Sequence, residues 1–451
     1  METLPPDHGH DGPPEPSRVA PSSPASDPGP WSWTDVPRLD TLRRMGDPAA
    51  DQCVLELAKQ GITARQLRPF FGALREPNVL GLPEEAPPVL REFLQKFRAD
   101  PFHPDFDPLP SWADRERIRR GQEAFRARTI PAVLVMLCKS LVEGYAAPSM
   151  AKILNLSGEL KHHPFHRLMG TLQLLQDVGS PGSFDPDGVG PAVAKEMRLL
   201  HAGVRNNVAR ATMGDDAYEA FVDQYGLPIN QEDMLGTILG FSLLVVEGLE
   251  VLGVPFTPEE AEDYYHVWRV YGHLAGIQRP GLDEDADAMP ATLEDARAFY
   301  DVYHRHYVGA TSFDGDWRER SMQENPDGVQ LAAAHVKMIA DLLPKRYRRG
   351  LGEHTVRMYV RELAGETGCA RVGIPPVPGH VLLHALVHVL PRLWYDLWSK
   401  VAPTEHVKIS EVFFATMIHQ AYDVPITYTV PRNVQDLQEF VHEGMRKDSP
   451  A

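Results

Sequence analysis

From Trp31 onward, apolar side chains recur at spacings of three and four residues, the period of a helix with one buried face. Residues 113–146 begin as a polar, amphipathic run, ADRERIRRGQEAFRARTI, and continue across Pro131 into PAVLVMLCKSLVEGYA, which is apolar nearly all round. This predicts a surface-facing helix followed by a central buried one. Pro148 interrupts, and a further helix begins near Pro164. A glycine- and proline-rich loop over 179–190 leads into a helix with Pro191 in its first turn. Asn230 is a helix cap answered by Asp233, and Thr257 with Glu260 forms a capping box with Pro258 at the first helical position. An acidic loop at 282–287 precedes helices over 292–308, 328–343 and 353–365. Only PITYTV, 425–430, alternates as a strand does. The pattern predicts an all-α protein with at most one minor hairpin.

Composition adds limits. The first 30 residues hold nine of the 41 prolines and few apolar side chains, so 1–30 is expected to be a disordered, Pro-rich arm. The arm has no apolar signal core and no twin arginine, and no run reaches the length that spans a bilayer without charge. The chain is therefore expected to be cytoplasmic, with no transmembrane segment. Lys plus Arg at 45 against Asp plus Glu at 62 gives a net charge of −17, which opposes binding to a phosphate backbone. Cys53, Cys138 and Cys369 are odd in number and lack CxxC spacing, which argues against a disulfide framework and a zinc ribbon. Without CxxCH, any haem would be b-type, and Cys369 reads as a small buried hydrophobe rather than a thiolate ligand.

The stretch KEMRLLHAGVRNN, 195–207, places Arg198, His201 and Arg205 on one face of a helix, with Leu200 and Val204 beside them. A partly covered basic stripe needs anionic partners, and no acid lies on the same stripe. Its cationic neighbours keep His201 neutral, with a lone pair available. A haem, with an iron for the imidazole and propionates for the arginines, would satisfy all three. The plain alternative is a core histidine bonded to backbone. Arg167 and Thr171 share a face of the preceding helix, and the loop at 179–190 is short enough to fold the two helices into an antiparallel pair. Here the alternative is a structural arginine with a threonine bonded to its own helix.

Six segments occur in an order that resembles the latex-clearing protein (rubber oxygenase) and MpaB-type oxygenase family. They are SWADRERIRRGQEAF, LCKSLVEGYAAPSMAKILNLSGEL, HRLMGTLQLLQDV, GSFDPDGVGPAVAKEMRLLHAGVR, LPINQEDMLGTILGFSLLVVEGLEVLGV and YYHVWRVYGHLAGI. The resemblance covers about residues 34–345. It implies a globin-like helical core holding haem b through His201, with Arg167 and Thr171 on the distal side. The implied division is a haem-binding oxygenase core over 31–345 and a helical extension over 346–451 packed on it. The implied activity is activation of O2 to oxidise or cleave a C=C bond of a small apolar or prenylated, isoprenoid-like substrate. A non-catalytic haem carrier or sensor is the alternative. Arg198 and Arg205 are expected to bind the cofactor, one at a propionate and the other at helix carbonyls. Gly170 stands where rubber oxygenases can carry a lysine, so the distal position is expected to be open or to hold water. The distal carboxylate of those enzymes has no clear counterpart in YAAPSMAKIL.

His380, His384 and His388, spaced four and four, form a rival row. HExxH is missing, and three ligands on one straight helix spread over about 12 Å, too far to share an ion. They are expected to pack against the core or line its approach. The same structural role is expected of His266 and His273.

Overall fold

The computed structural model describes residues 31–74, 82–95, 107–156, 164–342 and 352–378, with short pieces at 388–389, 392–393 and 395–397. The chain divides after Ser32 into two units, and the second, from Trp33, is the one described below. The Pro-rich arm and PITYTV lie outside the described residues, as do His380 and His384. The protein is all-α: among the described residues there is no strand.

Local chemistry sets most of the helix ends. Thr257 accepts from Glu260 N at 3.2 Å while the Glu260 carboxylate accepts from Thr257 N at 2.8 Å, so the capping box starts Pro258–Leu274 as its sequence predicts. Asn230 accepts from Asp233 N at 2.9 Å and starts Gln231–Phe241. Helices also begin at Pro148 and Pro164, and Pro191 lies in the first turn of Gly190–Gly203. The 353–365 helix ends near the expected place, because Gly365 turns to φ +73° before the chain resumes helically to Arg371.

Three breaks differ from the periodicity. The 113–146 run breaks at Arg128, whose φ of −123° separates Arg115–Ala127 from Thr129–Val135. Pro131 sits in the first turn of the second piece, where a missing N–H removes no helical bond. That piece then passes into a π-helical turn, Met136–Ser140. The apolar run 231–251 is broken at Ser242. Within Gln231–Val251 an 18-residue window has a mean hydropathy of 1.7 and is long and apolar enough to cross a membrane, though the stretch carries the charged Glu247 and Glu250. A share of 61% of that window is buried inside the protein, as in a core helix. Thr129–Tyr145 and Pro148–Asn155 pass the same test only as a pair, and they are bent by 102°.

Arg115–Ala127 packs along Pro258–Leu274 at Gly121, where an added Cβ would lie 2.4 Å from the Asp263 carbonyl oxygen. Arg117 and Arg120 pair with the two carboxylate oxygens of Asp263 at 2.8 and 2.6 Å. Pro164–Gly179 touches Gly190–Gly203, as the short connection requires, and also touches Arg115–Ala127, Pro258–Leu274 and Pro326–Leu342. Glu353–Arg371 packs on Pro326–Leu342 and on the π turn at Met136–Ser140.

Candidate functional site

His201 lies near the end of Gly190–Gly203, half-buried, with Nδ1 withdrawn from solvent. Its chain neighbours Leu199 and Ala202 are fully buried in the core with Ala50, Cys53, Val54 and Leu57, and Val204, one turn on, is nearly so. From Val204 to Ala209 the helix widens into a π turn, a local distortion often found at functional sites. Asn206 bridges the widened turn, donating to the Ala202 carbonyl at 2.9 Å and to Asp51 at 2.8 Å.

The basic stripe has anionic partners, and they are carboxylates of this chain. Arg198 forks onto Asp47, Nε to Oδ2 at 2.7 Å and Nη2 to Oδ1 at 2.9 Å. Arg205 meets Asp51 through Nε at 3.2 Å and Nη2 at 3.1 Å, and donates from Nη1 to the Ile229 carbonyl at 3.0 Å. The charge of both arginines is taken up here by Asp47 and Asp51, partners that the sequence reading, with one arginine at a propionate and the other at helix carbonyls, does not include. These carboxylates are more than 140 residues away in sequence, which is why no acid was visible on the stripe. They come from the start of Pro48–Lys59, where Asp47 is the N-cap, accepting from Ala50 N at 3.2 Å. Burial raises the pKa of Asp51 despite the Arg205 guanidinium.

Two glycines make room for the pairs. A Cβ on Gly46 would lie 2.7 Å from Asp51 Oδ2 and 2.8 Å from Arg205 Nε; one on Gly276, at φ +85°, would lie 2.7 Å from Asp47 Oδ2 and 2.8 Å from Arg198 Nε. Buried Gln231 ties the glycines together, donating from Nε2 to the carbonyls of Gly46 at 2.8 Å and Gly276 at 2.9 Å. Sequence reasoning missed Asp47, Asp51 and Gln231. The only local signal was Asp47 before Pro48, which marks a helix start and not a partner.

Thr171 lies half-buried on Pro164–Gly179, next to buried Gly170. Arg167 is on the same helix, and its side chain lies outside the described residues. A cavity of about 40 Å³ beside this helix, lined by Phe125, Thr129, Leu172, Leu175 and Gln176 among others, has room for a water and not for a cofactor.

The histidines set aside as structural have structural partners. His266 accepts from Asp114 N at 3.0 Å, and its pKa is lowered to about 4 by burial, with Arg117 and Arg269 adding to the effect. His273 meets the edge of Trp112, and its pKa is lowered by burial. His388 contacts the Val251 carbonyl and Glu362. Cys53, Cys138 and Cys369 are buried thiols.

A haem brings four nitrogens of its own and asks the protein for one or two axial donors, whereas a bare ion takes three or more. Among the described residues no group of three His, Cys, Asp or Glu could hold a bare ion. A single imidazole on a helix fits the first requirement and not the second. His201 therefore fits a haem, and Arg198 and Arg205 are each engaged by a carboxylate of this chain.

Fold and site together define an all-α protein built around a braced histidine helix. Comparison with known proteins gives this a family. The solved structure of a latex clearing protein, LCP, in its closed state superposes with a TM-score of 0.60 at 20% identity, covering 86% of this chain and 95% of that one. The family model for the catalytic domain of the ER-bound oxygenase mpaB/B' and rubber oxygenase matches residues 126–389, and the chain belongs to that family. The rubber oxygenase of Streptomyces sp. strain K30 is 27% identical over 224 residues, 49% of this chain and 49% of that protein, so the match spans about half the length of this curated relative.

Proposed function

We propose that this protein is a haem b-dependent oxygenase that uses O2 to cleave or otherwise oxidise a C=C bond in an apolar, isoprenoid-like substrate. The observation that supports this most is that the family match takes in Arg167, Thr171 and His201 together, on two helices that touch. Haem, when bound, would supply an iron for activating dioxygen.

In this reading His201 would hold the haem iron, and the buried Leu199 and Ala202 would anchor its helix to the core formed with Pro48–Lys59. Arg167 and Thr171 orient the reacting groups by hydrogen bonding from the facing helix. Gly170, beside Thr171, carries no side chain of its own that could serve as a second ligand. The proposed substrate is a diffusible, prenyl-bearing molecule of the cytoplasm, recognised by removal of its apolar surface from water at roughly 25 cal/mol per Å².

Oxygen uptake by the purified protein, measured with cis-polyisoprene latex and with short prenylated compounds and with products identified by mass, tests this. Uptake with a prenylated compound is expected, and Arg167→Ala or Thr171→Ala should abolish it while haem stays bound. Efficient latex cleavage with no turnover of any small substrate would overturn the substrate proposal. Haem binding without uptake on any substrate would favour the carrier or sensor instead.

A further inference from the structure

We infer that Asp47, Asp51 and Gln231 are positioning residues for His201, a brace that fixes the rotation and axial register of its helix. The inference rests on the reading of His201 as the iron ligand. Arg198 lies one turn before His201 and Arg205 one turn after it, seven residues or about 10 Å apart along the axis. One ion pair would let the helix swivel about the contact. Two pairs bracketing the histidine, both docked on the start of one helix, remove that freedom.

The geometry is restrictive at each point. The Asp47 side chain is 2% exposed and receives a two-point fork, which fixes direction as well as distance. The Arg205 side chain is 3% exposed and is held a second time by the carbonyl of Ile229, a β-branched residue at φ +53°. Gln231 spans the two glycines behind the pairs, and its Oε1 accepts from Gln278 N at 2.8 Å, so both carboxylates share one backing. Asp47 and Asp51 precede the family-matched residues 126–389, so the brace is supplied by a part of the chain outside that match.

Asp47→Asn, Asp51→Asn and Gln231→Met in the full chain test the brace. Asn325→Ala serves as a remote control, since Asn325 caps a distant helix and holds the Tyr145 carbonyl at 2.7 Å. Amide exchange in the haem-free chain should rise about tenfold over 196–209 in the brace variants, with faster diethyl pyrocarbonate modification of His201, and neither change should occur in the control. In the haem-loaded chain the iron–histidine stretching band should broaden and haem loss should accelerate about tenfold, the scale of effect seen when a ligand's supporting partner is removed. The double exchange Asp47→Arg with Arg198→Asp should recover part of both. A uniform loss of stability, with local exchange and His201 reactivity matching the control, would overturn the inference. If the native chain takes up no haem, the functional reading fails, while exchange and His201 reactivity still decide the brace.

Discussion

His335 donates from Nε2 to the carbonyl oxygen of Leu137 at 2.8 Å, tying Pro326–Leu342 to the π turn at Met136–Ser140. The bond requires the tautomer with its proton on Nε2. His335 is 1% exposed, and burial lowers its pKa to about 4, against the opposing effect of the Leu137 bond. Above pH 6.5 the ring is neutral in both folded and unfolded chains, and its contribution to stability is complete. As pH falls from 6.5 to 4 the unfolded chain gains a proton that the folded chain refuses, so stability falls by up to about 3 kcal/mol. His266 acts in the same direction over the same window. Denaturant unfolding at pH 7.5 and pH 5 checks this: His335→Gln, which keeps a donor and does not titrate, should remove about 2 kcal/mol of the difference between the two. An unchanged difference would contradict it.

Gly121→Ala should destabilise the protein by about 2 kcal/mol or more, because the added methyl group meets the Asp263 backbone, which cannot rotate away. Gly144→Ala is the matched comparison. Its Cβ would meet only Met150 Cε at 3.7 Å, and stability should hold or rise by up to about 1 kcal/mol. Calorimetric melting of both variants would show the contrast, and equal melting temperatures would refute the close approach of these helices.

Arg198→Met leaves the Asp47 carboxylate buried without its main partner and should cost about 3 kcal/mol in denaturant unfolding. Arg198→Lys keeps the charge and loses the fork, and should cost about 1 kcal/mol. If Arg198 served a propionate instead, Asp47→Asn would be nearly neutral and the Arg198 variants would lose stability only with haem present.

Helix starts were legible because their chemistry is local. Thr257 with Glu260, Asn230 with Asp233, and the prolines at 148, 164 and 191 each announce an end within four residues. The break at Arg128 was not legible, because it lies in the backbone angles of a residue with ordinary helix propensity, whereas nearby Pro131 fits the first turn of the helix that follows. The π turns were hidden for a related reason: a 3.6-residue period carries no mark of a wider one. The need of Arg198 and Arg205 for anions was visible in the sequence, but the identity of those anions depended on a packing between distant segments. Asp47 and Asp51 stand about 150 residues before the arginines they meet, beyond the reach of any helical period.

The visible absorption spectrum of the purified, haem-reconstituted chain beside that of His201→Ala bears most directly on His201 as the iron ligand. The expected result is one haem per native chain with a histidine-ligated Soret band, and loss of that band in His201→Ala while far-ultraviolet circular dichroism stays helical. A full Soret band with unchanged axial ligation in His201→Ala, or no haem uptake by the native chain, would contradict it.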